Sequence, residues 1–217
     1  MSVLSLLVTF EGPEGSGKTT QIPLLADYLR ERGYDVLCTR EPGGTAIGEQ
    51  IREVILSSKN DSIGHETEAL LFSAARAQIV AQVIRPALAA GRIVLCDRYA
   101  DSTIAYQGYG LGLDLEALRA ITTFATGGLI PDLTFYIDVP ADIGLARKKG
   151  QAGSGAGEMN RLDQKEMAYH TRVRKGYIEM ARQAPERWVV IDGTHSAAIV
   201  QKTLRERLDE ELKKRGI

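Results

Sequence analysis

Five short runs along the chain are nearly continuous in apolar and β-branched residues: VLSLLVTF (3–10), DVLCT (35–39), RIVLC (92–96), LTFYIDV (133–139) and RWVVID (187–192). Each predicts a strand. Between them, apolar positions recur at helical spacing. Residues 18–32 set Ile22, Leu25, Tyr28 and Leu29 on one face, and residues 66–90 do the same with Phe72, Ile79, Val83 and Ala87. Pro86 is expected to kink or loosen the second of these helices, because it has no amide to donate. Strands that do not alternate with polar residues are covered on both faces, and strands separated by helices are joined by right-handed crossovers. The pattern predicts an α/β fold: a doubly wound, five-stranded parallel sheet flanked by helices, in a single domain over residues 1–217.

One stretch breaks the rhythm. KKGQAGSGAGEMN (148–160) is rich in Gly, Ala and Ser and has no periodicity. It predicts a mobile loop between a helix starting near Pro140 and the next one. Its position suggests a lid, although a surface insertion has the same composition.

Composition narrows the class. Hydrophobic residues at 44% and charged residues at 25% are those of an ordinary globular protein. A formal net charge of −1 argues against a general nucleic-acid binder, so any anion site must be local. The two cysteines, Cys38 and Cys96, each lie in an apolar run and predict reduced core thiols in a cytoplasmic protein. The opening MSVLSLLVTF lacks a basic segment and a small-residue cleavage site, and predicts a buried strand instead of a leader. No run of about 18 apolar residues predicts a membrane span.

Gly12 to Thr19 reads G-P-E-G-S-G-K-T, a full G-x-x-x-x-G-K-[ST] match between a predicted strand and a predicted helix. Such a loop turns backbone N–H groups onto phosphate oxygens and aims a helix N-terminus at them. Gly12, Pro13, Glu14, Gly15, Ser16 and Gly17 are therefore expected around the phosphates of ATP, with Lys18 on the β- and γ-phosphates and the Thr19 hydroxyl on Mg²⁺. Asp97 closes the run IVLCD, where a second Mg²⁺-organising carboxylate belongs, and Arg98 lands in the same cleft. An Asp there could also cap the next helix. No Asn-Lys-x-Asp base-reading string occurs, which favours ATP over GTP.

Arg40 stands at a strand end in T-R-E-P-G-G, where an acceptor phosphate could dock. Phe72 and Arg76 are one helical turn apart, pairing a flat ring with a planar fork of donors, as a nucleobase would require. Thr103 and Gln107 are spaced likewise, with Tyr106 beside them. Taken singly, each pair also fits a core position with a snorkelling neighbour.

The strings F-E-G-P-E-G-S-G-K-T-T, T-R-E-P-G-G-T, F-S-A-A-R-A-Q, D-R-Y-A-D-S-T-I-A-Y-Q-G and N-R-L-D-Q occur together and in this order. In that respect the chain resembles the thymidylate kinase family over essentially its whole length. The resemblance implies a fold of the P-loop nucleoside monophosphate kinase type. It also implies transfer of the γ-phosphoryl of ATP to dTMP, in a homodimer. Arg40 and Arg98 would hold the acceptor phosphate, Phe72 would stack on thymine, and Arg76 would bond its 4-carbonyl. Thr103 and Gln107 would address the remaining polar edge, and Glu14 the 3′-hydroxyl. Tyr106 would crowd the place of a ribose 2′-hydroxyl, and Arg52 would stand near the phosphates. One branch of the family carries an arginine in the loop where this chain has Gly15, so the resemblance implies a catalytic cation borne by the lid. Arg147, Lys148, Lys149 and Arg161 flank or lie in it. The middle of the segment, Q-A-G-S-G-A-G, has no arginine, which departs from some relatives. A kinase for another small acceptor and a nucleotide-dependent switch are the rival readings.

Overall fold

The computed structural model of the protein describes residues 5–154 and 160–216. Strands β1 (Leu6–Glu11), β2 (Val36–Arg40), β3 (Ile93–Asp97), β4 (Leu133–Asp138) and β5 (Trp188–Asp192) pair in the order β2-β3-β1-β4-β5, all parallel. The helices are α1 (Lys18–Glu31), α2 (Ala46–Leu56), α3 (His65–Ile79), α4 (Arg85–Ala89), α5 (Ala100–Thr103), α6 (Leu115–Thr126), α7 (Ala141–Gly153), α8 (Met167–Gln183) and α9 (Ala197–Lys214). None of them is long and apolar enough to cross a membrane.

Alternation along β1 sorts the two layers. Leu6, Val8 and Phe10 point to one face, where they pack with Ile22, Leu25 and Leu29 of α1 and with Leu204, Leu208 and Leu212 of α9. Leu7 points to the other, joining Val94 and Cys96 of β3 against Ile79 and Ile84. Glu11, two pleats along, faces the same way as Leu7 and is fully buried. Beside it lies an aromatic cluster that includes Tyr106, Tyr136, Tyr169, Tyr177 and Trp188, with Tyr136 and Tyr177 stacked at 5.0 Å. Each buried Leu or Ile contributes roughly 1.5–3 kcal/mol to this core.

β1 and β3 are neighbours whose onward connections leave to opposite sides, to β2 and to β4. The chain therefore splits apart at their carboxyl ends, and a crevice opens there. Parallel register puts Phe10, Arg40 and Asp97 at one level of that edge.

One expectation is met and two need correction. The helix predicted over 66–90 consists of α3, a π-helical turn at Val80–Ile84, and α4. Pro86 loosens it locally, as expected: the wider turn just before the proline absorbs the missing bond. Residues 148–153 are not loop but the last turns of α7, whose Ala, Arg, Lys and Gln are good helix formers. Residues 155–159, the middle of the expected lid, lie outside the described residues. Cys38 is exposed, because β2 is an edge strand, whereas Cys96 is buried as expected, and both are free thiols.

The glycine loop after β1 rests on α7, backbone against backbone. A Cβ on Gly144 would lie 2.4 Å from the carbonyl oxygen of Glu14, and one on Gly15 would lie 2.1 Å from that of Gly144. Gly150, on the same helix, has open space around it. Gly144→Ala is expected to destabilise the protein by about 1–3 kcal/mol through overpacking. Gly150→Ala should stabilise it by about 0.5–1 kcal/mol through helix propensity. Urea denaturation midpoints report both signs, and two shifts of the same sign would refute the packing.

Candidate active site

At the carboxyl end of β1 the chain turns through Gly12, with φ 146°, where a side chain would meet the Ile137 carbonyl at 2.5 Å. It enters α1 through Gly17, with φ 101°. Only glycine enters such conformations freely, which is why the loop can fold back over its own helix. Lys18 is 6% exposed, and its Nζ donates to the Gly12 carbonyl at 3.0 Å, the Pro13 carbonyl at 3.1 Å and Ser16 Oγ at 3.2 Å. Burial pulls its pKa down to about 8 and Arg98 adds to this, while Asp97 and Glu14 oppose it. Thr19 is exposed on the first turn of α1. Asp97 ends β3 facing the same cleft, and its Oδ1 is buried with no hydrogen-bond partner among the described residues.

Arg98 follows directly and carries φ 67°, the one positive value at a non-glycine position among the described residues. Its Nη2 donates to Glu14 Oε1 at 2.5 Å, and its guanidinium lies 5.0 Å from the Tyr106 ring. Burial alone would push the Glu14 carboxyl up. Arg98, Lys18 and Lys148 overcome it and hold the pKa at about 2.

These groups line a cleft of about 290 Å³. Arg40, Phe72, Thr103, Tyr106 and Gln107 form a further wall, to which Arg98 links Glu14. A second π-helical turn, Ile104–Gly110, presents Tyr106 and Gln107 together. Arg76 stands just behind this wall, 1% exposed, with Nε donating to Glu41 Oε2 at 2.8 Å, Nη1 to Thr103 Oγ1 at 2.9 Å and Nη2 to the Tyr99 carbonyl at 3.0 Å. Gln107 donates to Glu68 Oε1 at 2.8 Å, which fixes which end of its amide points at the cleft. Arg40 bonds both oxygens of Glu49 at 2.9 Å. Arg52 also lines the cleft and donates to the Pro42 carbonyl at 2.9 Å.

The basic residues expected near the lid do not all arrive. Arg147 donates to the Gly193 carbonyl at 2.9 Å and does not line the cleft. Lys149 is exposed and does not line it either. Arg161 is 5% exposed and is held by Glu68 and, at 3.2 Å, by the Ile55 carbonyl. The cation of this group that lines the cleft is Lys148, one helical turn beyond Gly144. Helix geometry explains the selection, since residues four apart share a face and Gly144 is the contact with the loop. Glu41, Ser102, Asn160 and Leu162 also line the cleft, with no role expected of them there. All four lie inside the strings T-R-E-P-G-G, D-R-Y-A-D-S-T and N-R-L-D-Q, so the signal was present as motif and absent as role.

The family model described as thymidylate kinase matches residues 10–204. This chain belongs to the thymidylate kinase family. It is 56% identical to the thymidylate kinase of Roseiflexus sp. (strain RS-1) over 89% of this chain and 88% of the relative. It is 51% identical to that of Herpetosiphon aurantiacus over 94% of each chain. The crystal structure of thymidylate kinase from Ehrlichia chaffeensis superposes with a TM-score of 0.76 at 36% identity, covering 94% of this chain and 99% of that one. Membership makes the chain a P-loop nucleoside monophosphate kinase, with the doubly wound parallel sheet that its strand pattern predicts.

Under the cleft floor of this thymidylate kinase fold, burial pushes the Glu11 carboxyl from 4.5 to about 7, with Asp101 adding and Arg98 opposing. Below pH 4.5 both folded and unfolded chains hold this proton. Between 4.5 and 7 the folded chain alone holds it, so stability from this group is lost as pH rises through that window. At pH 8 the deficit reaches about 3 kcal/mol relative to pH 4.5. Urea denaturation of wild type and Glu11→Gln at pH 5 and pH 8 should show the difference moving in favour of the variant at the higher pH. A difference that is independent of pH would contradict the raised pKa.

Proposed function

We propose that the protein transfers the γ-phosphoryl of ATP to dTMP, giving dTDP and ADP, in the cytoplasm. The observation that carries this reading is the Arg98–Glu14 contact at 2.5 Å, because it joins the glycine loop that would grip the donor to the wall that would grip the acceptor. Two nucleotides meeting there would present their phosphates to one set of cations.

Phosphoryl transfer through a loose transition state needs alignment and charge neutralisation more than covalent help. No general base is required, because a phosphate monoester has its second pKa near ~6 and is already anionic at neutral pH. On the donor side, Gly12 to Gly17 direct backbone N–H groups at the phosphates, and Lys18 leaves its loop carbonyls to follow the transferring charge. Thr19 and Asp97 would hold Mg²⁺, and the unpartnered buried Oδ1 of Asp97 is the oxygen suited to it. When bound, that ion supplies neutralisation of phosphate charge.

On the acceptor side, Arg40 and Arg98 bind the phosphate of dTMP, and Phe72 stacks on the base. Gln107, pre-oriented by the buried Glu68 carboxylate, addresses the base edge with Thr103, and Arg76, expected on the base itself, holds Thr103 from behind the wall. Glu14 takes the sugar hydroxyl, and Tyr106 fills the space a 2′-hydroxyl would need. Lys148 is the lid-side cation of this reading, in place of Arg147, Lys149 and Arg161. Exclusion of water keeps ATP from being hydrolysed.

The same reading includes a homodimer. Leu70 of α3 and Phe124 of α6 are 54% and 90% exposed on two helices that pack together, an apolar surface that a second copy would cover. Light scattering should give twice the chain mass, and Phe124→Asp should shift it to the monomer. A monomeric wild type would end the dimer reading.

Coupled detection of ADP should show turnover that depends on dTMP and exceeds that with other nucleoside monophosphates. Lys18→Ala is expected to lower it by about 10³-fold or more while the fold stays intact. ATP hydrolysis indifferent to dTMP would overturn the proposal.

A further inference from the structure

Glu11 is completely buried, carries a titratable group, and does not line the cleft. No role in binding or transfer has been given to it. Its surroundings nevertheless point to one residue. Glu11 Oε1 accepts from the backbone N–H of Tyr99 at 2.8 Å, and Oε2 accepts from Ser102 Oγ at 2.6 Å and from Tyr177 Oη at 2.7 Å. Ser102 and Tyr177 also bond each other at 2.9 Å, and both lie at the edge of contact with Arg98 Nη1, at 3.4 and 3.5 Å. The Arg98 backbone is pinned from the other side, its N–H donating to the Phe10 carbonyl at 2.9 Å. One carboxyl thus closes the turn that begins at the strained φ of 67°. A residue other than glycine stays in that conformation only when its surroundings over-determine it.

We propose that Glu11 is a positioning residue that acts through Arg98: it clamps the Arg98–Ser102 turn so that the guanidinium meets Glu14. Charge is secondary to shape in this clamp. The Ser102 and Tyr177 hydroxyls can turn to donate or to accept, so a carboxylate, a carboxylic acid and an amide all satisfy them. Alanine satisfies none, and it leaves one backbone and two side-chain groups without their partner.

The inference rests on the acceptor role given above to Arg98, and it is tested by equilibrium binding, which needs no turnover. Calorimetric titration of dTMP should give affinity about tenfold weaker in Glu11→Ala and within twofold of wild type in Glu11→Gln, with ATP affinity unchanged in both. In an Arg98→Ala background, Glu11→Ala should weaken dTMP binding by less than twofold further, because the residue it positions is gone. Additive losses in the double variant would overturn the clamp, as would wild-type binding by Glu11→Ala or equal damage from alanine and glutamine. Should Glu11→Ala not fold, Ser102→Ala takes its place in the same cycle. A wild type that does not bind dTMP would instead sink the acceptor reading.

Discussion

Arg98 sits next to the glycine loop, its side chain 15% exposed, in a backbone conformation that costs a non-glycine residue roughly 1–2 kcal/mol. A cation largely withdrawn from water needs compensation on all sides, and here it is found in layers. Glu14 meets the guanidinium directly, the Tyr106 ring lies against its face, and Glu11 holds the turn from below. Removing one partner of such a pair is costly, since the other is left charged and desolvated. The loop, β3, the second π-helical turn and α8 each contribute a group to this arrangement, so the cleft cannot form piecemeal.

The sheet makes the arrangement possible. A parallel sheet that diverges between β1 and β3 sends two carboxyl ends into one crevice, and its register lines up Phe10, Arg40 and Asp97. The glycine loop follows from the first strand end and Arg98 from the third. Around them pack Tyr106, Tyr136, Tyr177 and Trp188, and the Tyr177 hydroxyl enters the polar network without being exposed. Hydrophobic packing and polar order are thus supplied by the same side chains.

Cation placement between residues 147 and 161 shows how tightly packing decides which side chains line the cleft. Arg147, Lys148, Lys149 and Arg161 are all basic and near one another in sequence, yet Lys148 is the one of them that lines the cleft. The close approach of Gly15 and Gly144 sets the angle of α7 on the loop, and the helical repeat does the rest. Arg161 serves a different end, bound to the Glu68 carboxylate that also orients Gln107.

By itself the sequence determined the strands, the parallel layout and the phosphate loop. Apolar runs, helical spacing and the G-P-E-G-S-G-K-T string are local patterns, and local backbone physics is enough to interpret them. Tertiary structure decided which groups are used and by whom. Whether Cys38 is buried depends on β2 being an edge. That Arg76 stands behind the wall, that Glu11 binds Tyr99, Ser102 and Tyr177 and that Lys148, unlike Arg147 and Lys149, lines the cleft are facts of contact between residues far apart in the chain. Burial, which sets both the cost of a charge and the identity of its partner, is a property of the assembled fold and not of any stretch of it.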